Sequence, residues 1–290
     1  MFAPLPSFLK ALVSCLALVL NCVLIFVLVP LALLKLVLPF KPVRRVLDYI
    51  NNGIANLWVS NNGRWIDAVT APRWQVSGVE GFKRQGWYLV SSNHQSWVDI
   101  LVLQKVLGGR IPLLKFFIKK ELIYVPVMGL AWWALDFPFM ARKGGKASAA
   151  KDLETARKAC EKFRVVPTSV ISFMEGTRFT PQKQAQQSSP YQHLLRPKTG
   201  GIGMALATMG DQFDAMVDVT IVYPDGVPTF TDLLCGRVKH VIVEVRQLPI
   251  PKDLTEGRPD PSNPDYRARL QTWITGLWEQ KERRLAELKR

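Results

Sequence analysis

The first forty residues set the pattern of the chain. Residues 11–34 read ALVSCLALVLNCVLIFVLVPLALL, without a charge and with only Ser14 and Asn21 as polar interruptions. A helix of that length crosses a hydrocarbon core of about 30 Å. Residues 43–68 carry Val46, Tyr49, Ile50, Ile54, Leu57 and Trp58 at roughly helical spacing, which predicts a second, amphipathic helix. Beyond residue 70, short apolar runs alternate with helical stretches. Strands are predicted over 87–91, 169–173, 215–223 and 239–248, with helices just after residue 94, over 147–163 and over 200–209. Such alternation specifies an α/β domain, here a mixed central sheet flanked by helices and preceded by one membrane helix or a two-helix membrane element. The Gln- and Ser-rich stretch 180–198 reads as a surface loop, and the Pro-punctuated stretch 251–264 as a linker to a final helix. That helix sets Leu270, Trp273, Ile274, Leu277 and Trp278 on one stripe, with basic residues from Lys281 to Arg290. The stripe packs on its own domain or, as a basic amphipathic helix, docks on a membrane surface. Three segments result: membrane-anchoring helices over 1–68, an α/β domain over 69–250, and a linker with the amphipathic helix over 251–290.

A cleaved signal peptide is the competing reading of the N-terminus. The apolar run is too long for an h-region, and no small-x-small site closes it. Lys35, Lys41, Arg44 and Arg45 follow the run and only Lys10 precedes it, so the positive-inside rule puts the following domain on the cytoplasmic face. Pro30 and Pro39 leave open whether the segment spans the bilayer or dips into one leaflet.

Charge sharpens this picture. Of the 290 residues, 38 are Lys or Arg and 23 Asp or Glu, a formal net charge of +15. This excess calls for an acidic partner: nucleic acid, an anionic bilayer or phosphorylated substrates. No nucleic-acid recognition motif accompanies it, so nucleic acid is not expected. Cys15, Cys22, Cys160 and Cys235 show neither a disulfide ladder nor metal-ligand spacing, and His94, His193 and His240 are scattered, so no metal site is expected. Two nucleotide-like motifs fail. The Arg142–Ser148 segment lacks its first P-loop glycine, and Leu206 stands where the Gly200–Gly203 segment would need its third.

The chemistry concentrates in Asn93-His94-Gln95-Ser96-Trp97-Val98-Asp99, directly after an apolar run. Residues five apart on a continuous helix lie about 140° apart around its axis. His94 and Asp99 therefore meet only if His94 lies in the turn leaving the strand and Asp99 in the first turn of the helix that follows. A carboxylate there holds one imidazole nitrogen and leaves the other free to take a proton. A second block, Phe173-Met174-Glu175-Gly176-Thr177-Arg178-Phe179, also follows an apolar run.

Together these blocks resemble the glycerolipid acyltransferase family, which includes the lysophosphatidate (1-acylglycerol-3-phosphate) acyltransferases. Its signature is a histidine, four residues, an aspartate and, far downstream, Glu-Gly-Thr-Arg. Phe179-Thr180 and Lys198-Thr199-Gly200 resemble the longer bacterial branch, which is less uniform in acceptor. The resemblance implies that His94 acts as general base on an acceptor hydroxyl and Asp99 fixes its tautomer. It implies that Lys119 and Arg142 face the acceptor phosphate, although Ala141 stands where many relatives carry aspartate. It implies a substrate-binding segment Glu175, Gly176, Thr177 and Arg178. There the planar fork of Arg178 grips phosphate oxygens, and Glu175 holds that arginine or a glycerol hydroxyl. A strand-end ion pair is the competing role for Arg178. Thr220 departs from the proline that relatives often show.

The expected activity is transfer of a fatty acyl group from an acyl thioester to a lysophospholipid, with lysophosphatidic acid the leading acceptor and phosphatidic acid the product. No cofactor is expected. Acyl-CoA or acyl carrier protein is the donor, and the lipid bilayer of the inner cell membrane is the partner. The alternatives are the same chemistry on another lyso-lipid or hydroxylated lipid, and a membrane lipid-binding protein without turnover.

Overall fold

The computed structural model describes every residue except Met1, Ala3, Pro39, Ala71, 141–145, Val165, Arg258 and Arg290, and for residues 140, 146–153 and 156 the backbone alone. Helices α1 (Ser7–Val37) and α2 (Lys41–Thr70) come first. Strands β1 (Arg73–Ser77) and β2 (Tyr88–Ser92), helix α3 (Val98–Leu107), and strands β3 (Leu114–Phe116) and β4 (Ile118–Lys119) follow. Then come α4 (Met128–Ala134), β5 (Phe139–Met140), α5 (Lys146–Phe163), β6 (Ser169–Ser172), α6 (Pro181–Gln186) and α7 (Gly200–Met209). The chain closes with β7 (Ala215–Val222), α8 (Phe230–Leu234), β8 (His240–Leu248) and α9 (Pro264–Leu288).

The six-stranded sheet has the order β1-β8-β7-β2-β6-β3. β2 pairs in parallel with β6 and β7, and β3 with β6, while β8 runs antiparallel to β7 and carries β1 in parallel at the edge. The sheet is therefore mixed, and β4 with β5 forms a separate two-stranded ribbon. β2 and β7 are buried at every position, as expected for central strands covered on both faces. Alternation sorts their side chains. Val217, Val219 and Ile221 face the layer of α2 and α3, where Ile66, Val69, Val102 and Leu103 pack. Met216 and Val222 face α5, α7 and α9, where Phe163, Leu206, Ile274 and Trp278 pack. Complete burial of a side chain such as Ile274 contributes about 1.5–3 kcal/mol.

The stripe on α9 is thus spent inside the domain: Leu270, Ile274, Leu277 and Trp278 are buried, and so is Lys281, one turn beyond them. The 180–198 stretch is more than a surface loop. Thr180 caps α6 by accepting from the Lys183 N–H, and Leu194 and Leu195 are fully buried. In the 251–264 stretch, a helical turn over Lys252–Leu254 buries Leu254.

The N-terminal helices invert the usual pattern. The buried residues of α1 are Ser14, Asn21, Ile25, Leu28, Ala32 and Lys35, so its polar groups turn toward the protein. Ser14 donates to the Leu234 carbonyl, Asn21 bonds Trp58 and Asn62 at 2.9 Å each, and Lys35 pairs with Asp48 and Asp136. Its outward side carries Phe8, Leu12, Leu16, Val19, Leu20, Val23 and Phe26, all exposed. Among the described residues α1 alone is long and apolar enough to cross a membrane, and Pro30 lies inside it as one uninterrupted helix. Pro39 falls outside the described residues.

Candidate active site

The turn between β2 and α3 holds His94, and Asp99 is the second residue of α3. The imidazole Nδ1 lies 2.9 Å from Asp99 Oδ2, in the arrangement that the five-residue spacing requires. A carboxylate only accepts, so Nδ1 carries the hydrogen and Nε2 is the nitrogen left for chemistry. Asp99 is itself held rigidly. The same Oδ2 accepts from the backbone N–H of Gln95 at 2.6 Å and of Ser96 at 2.8 Å, and Oδ1 accepts from the Tyr223 hydroxyl at 2.7 Å. Its position in the first turn of α3 adds the favourable field of the helix N-terminus. Phe173 stacks on the imidazole with centroids 3.9 Å apart and an interplanar angle of 15°, which fixes the ring plane. Asn93 ties the turn to the neighbouring strand by bonding both the carbonyl and the N–H of Ile221.

Tyr223 was not legible as a partner of Asp99. It ends the apolar run of β7, and nothing local marks a tyrosine at a strand end as a donor to a carboxylate far earlier in the chain. Burial and the adjacent Asp99 push its phenol well above the usual value, so it stays protonated and donates.

The second block leaves β6. Gly176 has φ +69°, a left-handed conformation that glycine adopts without strain, and it turns Thr177 and Arg178 toward the same cleft that His94 lines. Arg178 is exposed, and its guanidinium lies 5.1 Å from the centre of the Trp97 ring. No carboxylate pairs with it among the described residues, which removes the support for a structural ion pair. Thr177 accepts from Lys183 Nζ at 2.8 Å.

Glu175 departs from the expectation. Its carboxylate is fully buried and grips neither Arg178 nor open space: Oε1 accepts from the His94 N–H at 2.8 Å and Oε2 from the Leu195 N–H at 2.9 Å. Burial pushes its pKa up to about 7, against the lowering effect of those two backbone bonds. Glu175 thus brackets the His94 backbone from behind the cleft.

The cleft has a volume of about 480 Å³. His94, Trp97, Lys119, Gly176, Thr177 and Arg178 line its polar end, and Trp58, Leu122, Met128, Trp132 and Phe137 form an apolar wall contributed in part by α2 and α4. The structure therefore brings His94, Lys119, Gly176, Thr177 and Arg178 around one cleft, with Asp99 and Glu175 buried behind it. Arg142 and Ala141 lie outside the described residues.

Comparison with known proteins agrees with this architecture. A family model described as Acyltransferase matches residues 73–224, more than half of the chain and both motif blocks. The 1-acyl-sn-glycerol-3-phosphate acyltransferase delta of Mus musculus is 27% identical over 208 residues, covering 67% of this chain and 51% of that protein. The lysocardiolipin acyltransferase 1 of Gallus gallus is 25% identical over 265 residues, covering 85% of this chain and 66% of that protein. The chain thus spans about half the length of the mouse relative it matches. The crystal structure of the 1-acyl-sn-glycerophosphate acyltransferase of Thermotoga maritima shares the fold with a TM-score of 0.55 and 18% identity over 98% of each chain. By its matched domain and its mixed α/β fold, the chain belongs to the acyltransferase family.

Proposed function

We propose that the protein is a membrane-bound acyltransferase that moves a fatty acyl group from an acyl thioester to the free hydroxyl of a lysophospholipid. The observation that carries this reading is the His94–Asp99 pair at the polar end of a cleft whose other wall is apolar. In this reading, His94 Nε2 removes the proton of the acceptor hydroxyl as its oxygen attacks the thioester carbonyl carbon. The tetrahedral intermediate collapses with cleavage of the C–S bond, and the imidazolium returns its proton to the departing thiolate. Asp99 keeps Nδ1 as donor and stabilises the imidazolium between those two transfers. No acyl-enzyme and no cofactor enter the scheme. Arg178, preoriented by Trp97, offers two parallel N–H donors to the acceptor phosphate, with Lys119 as a second cation. The Trp58, Leu122, Met128 and Trp132 wall suits an aliphatic chain.

Lysophosphatidic acid is the leading acceptor, with phosphatidic acid as product. The lysocardiolipin acyltransferase among the relatives supports a second reading, the same chemistry on a larger lyso-lipid. Both acceptors combine a phosphate with a free hydroxyl. The outward apolar side of α1 supports attachment to a bilayer, because leaving so many large aliphatic side chains in water opposes solubility. The basic flank after α1 favours a cytoplasmic catalytic domain at the inner membrane, where an anionic leaflet contributes roughly 1 kcal/mol for each nearby basic residue. The test is acyl transfer by the purified full chain, run with acyl-CoA and acyl carrier protein donors against lysophosphatidic acid, lysocardiolipin and uncharged monoacylglycerol. The proposal expects transfer to the phosphate-bearing acceptors; transfer to monoacylglycerol alone would remove the role of Arg178, and no transfer to any would remove the proposal.

A further inference from the structure

The catalytic turn is gripped from behind by the last helix of the chain. Glu175 holds the His94 N–H through Oε1, and its other oxygen is held by the Leu195 N–H. The carbonyl of that same Leu195 accepts from the indole N–H of Trp278 on α9 at 2.9 Å. Both Leu195 and Trp278 are fully buried, so water does not compete for these bonds. One turn further along α9, Glu282 accepts from the N–H of Gln192 at 2.9 Å, from the N–H of His193 and from His193 Nδ1 at 2.9 Å. Between them Lys281, buried to 0% exposure, pairs with Asp218 at 2.7 Å and donates to the Val219 carbonyl at 2.6 Å. That strand is the one to which Asn93 ties the catalytic turn at Ile221. Three residues within five positions of α9 thus anchor the 192–195 segment and β7, the two supports of the His94 turn.

We propose that Trp278 is a positioning residue: its indole N–H fixes the Leu195 peptide, and through it the Glu175 carboxylate that sets the backbone of His94, with Glu282 holding the adjoining 192–193 backbone in register. This inference rests on the acyl-transfer reading. It assigns the C-terminal helix a part in turnover from behind the cleft. The indole touches neither substrate nor reacting atoms, so its loss acts on the rate of chemistry and not on the affinity for either substrate.

The experiment uses the full chain in detergent micelles with lysophosphatidic acid and acyl-CoA, and compares Trp278→Phe, Glu282→Ala, Leu277→Ala and His94→Ala with the wild type. Trp278→Phe keeps an aromatic ring and loses the N–H. It should lower kcat about three- to tenfold, the factor corresponding to one neutral hydrogen bond, with both KM values within about twofold. Glu282→Ala reports on the same backbone independently should the Trp278 variant fail to fold, and should show the same split between kcat and KM. Leu277 packs in the same core and bonds nothing in the loop, so Leu277→Ala should lower the melting temperature while leaving kcat unchanged. If kcat is unchanged in Trp278→Phe and Glu282→Ala, or falls in all three α9 variants in proportion to melting temperature, the positioning role is overturned. Two other results are distinct from these: no transfer by the wild type removes the acyl-transfer reading, and full activity in His94→Ala removes His94 as the base, and the inference falls with either.

Discussion

Replacing Asp99 separates the charge of the carboxylate from its work as a scaffold. The aspartate accepts four hydrogen bonds, three at Oδ2 from His94 Nδ1, Gln95 N and Ser96 N, and one at Oδ1 from the Tyr223 hydroxyl. In Asp99→Asn, an amide oxygen at the Oδ2 position keeps the three nitrogen donors satisfied. The NH2 then faces the Tyr223 oxygen, which can accept in place of donating. The turn and the imidazole tautomer survive, and what disappears is the negative charge opposite the imidazolium. A charged hydrogen bond is worth roughly 1.5–3 kcal/mol, so kcat should fall by about 10- to 150-fold with a nearly unchanged melting temperature. Asp99→Ala removes every acceptor. It strands the half-buried Gln95 N–H, the buried Ser96 N–H and the buried Tyr223 hydroxyl at about 1–3 kcal/mol for each buried group, so it should lose several kcal/mol of stability as well as activity. Acyl-transfer rates and melting curves of the two purified variants test the distinction. Wild-type kcat in Asp99→Asn, or equal destabilisation by Asn and Ala, would refute the reasoning.

Arg178→Lys keeps the charge and loses the two-pronged geometry, so the KM for lysophosphatidic acid should rise on the order of ten- to hundredfold while the donor KM stays flat; equal changes in both would take Arg178 out of phosphate recognition. Glu175, raised from 4.5 to about 7 by burial, binds a proton in the folded state that the unfolded chain has already released between those values. Its contribution to stability is therefore present at low pH and lost as pH rises through that window, by about 3 kcal/mol or, at about 2 °C per kcal/mol, about 6 °C in Tm. Glu175→Gln lacks this component, so the melting temperature of the wild type should approach or fall below that of the variant between pH 5 and pH 8; parallel profiles would show that Glu175 does not titrate there. The full chain should stay with membranes through a high-salt wash, because the exposed apolar side of α1 resists screening where charge does not; release by salt alone would assign attachment to the basic surface instead.

The parts of this molecule that the sequence disclosed are those written in local periodicity. The central strands emerged because β2, β6 and β7 are short runs with an apolar centre, and helix geometry stated where His94 and Asp99 had to lie for their contact to form. Edge strands escaped: β1 is five residues with an exposed, non-alternating pattern, and β3 has three residues. Long-range partners escaped for a different reason. Glu175 bonds backbone N–H groups, which every residue carries, so no side-chain pattern announces them. Lys281 had a usable signal: it extends the Leu270, Ile274, Trp278 stripe by three residues, yet its charge places it with the basic tail unless Asp218 is recognised as a buried partner. Leu194 and Leu195, an apolar pair inside a Gln- and Ser-rich stretch, were likewise a sign that this loop folds back onto the core.

The central claim is that His94 is the base for attack of a lyso-lipid hydroxyl on an acyl thioester. The measurement that tests it most directly is the acyl-transfer rate of His94→Ala in the purified full chain, with saturating lysophosphatidic acid and acyl donor and with its melting temperature recorded beside the wild type. The account predicts a folded variant whose turnover falls by about 10²- to 10⁴-fold. A folded His94→Ala protein that transfers acyl groups at close to the wild-type rate would contradict it.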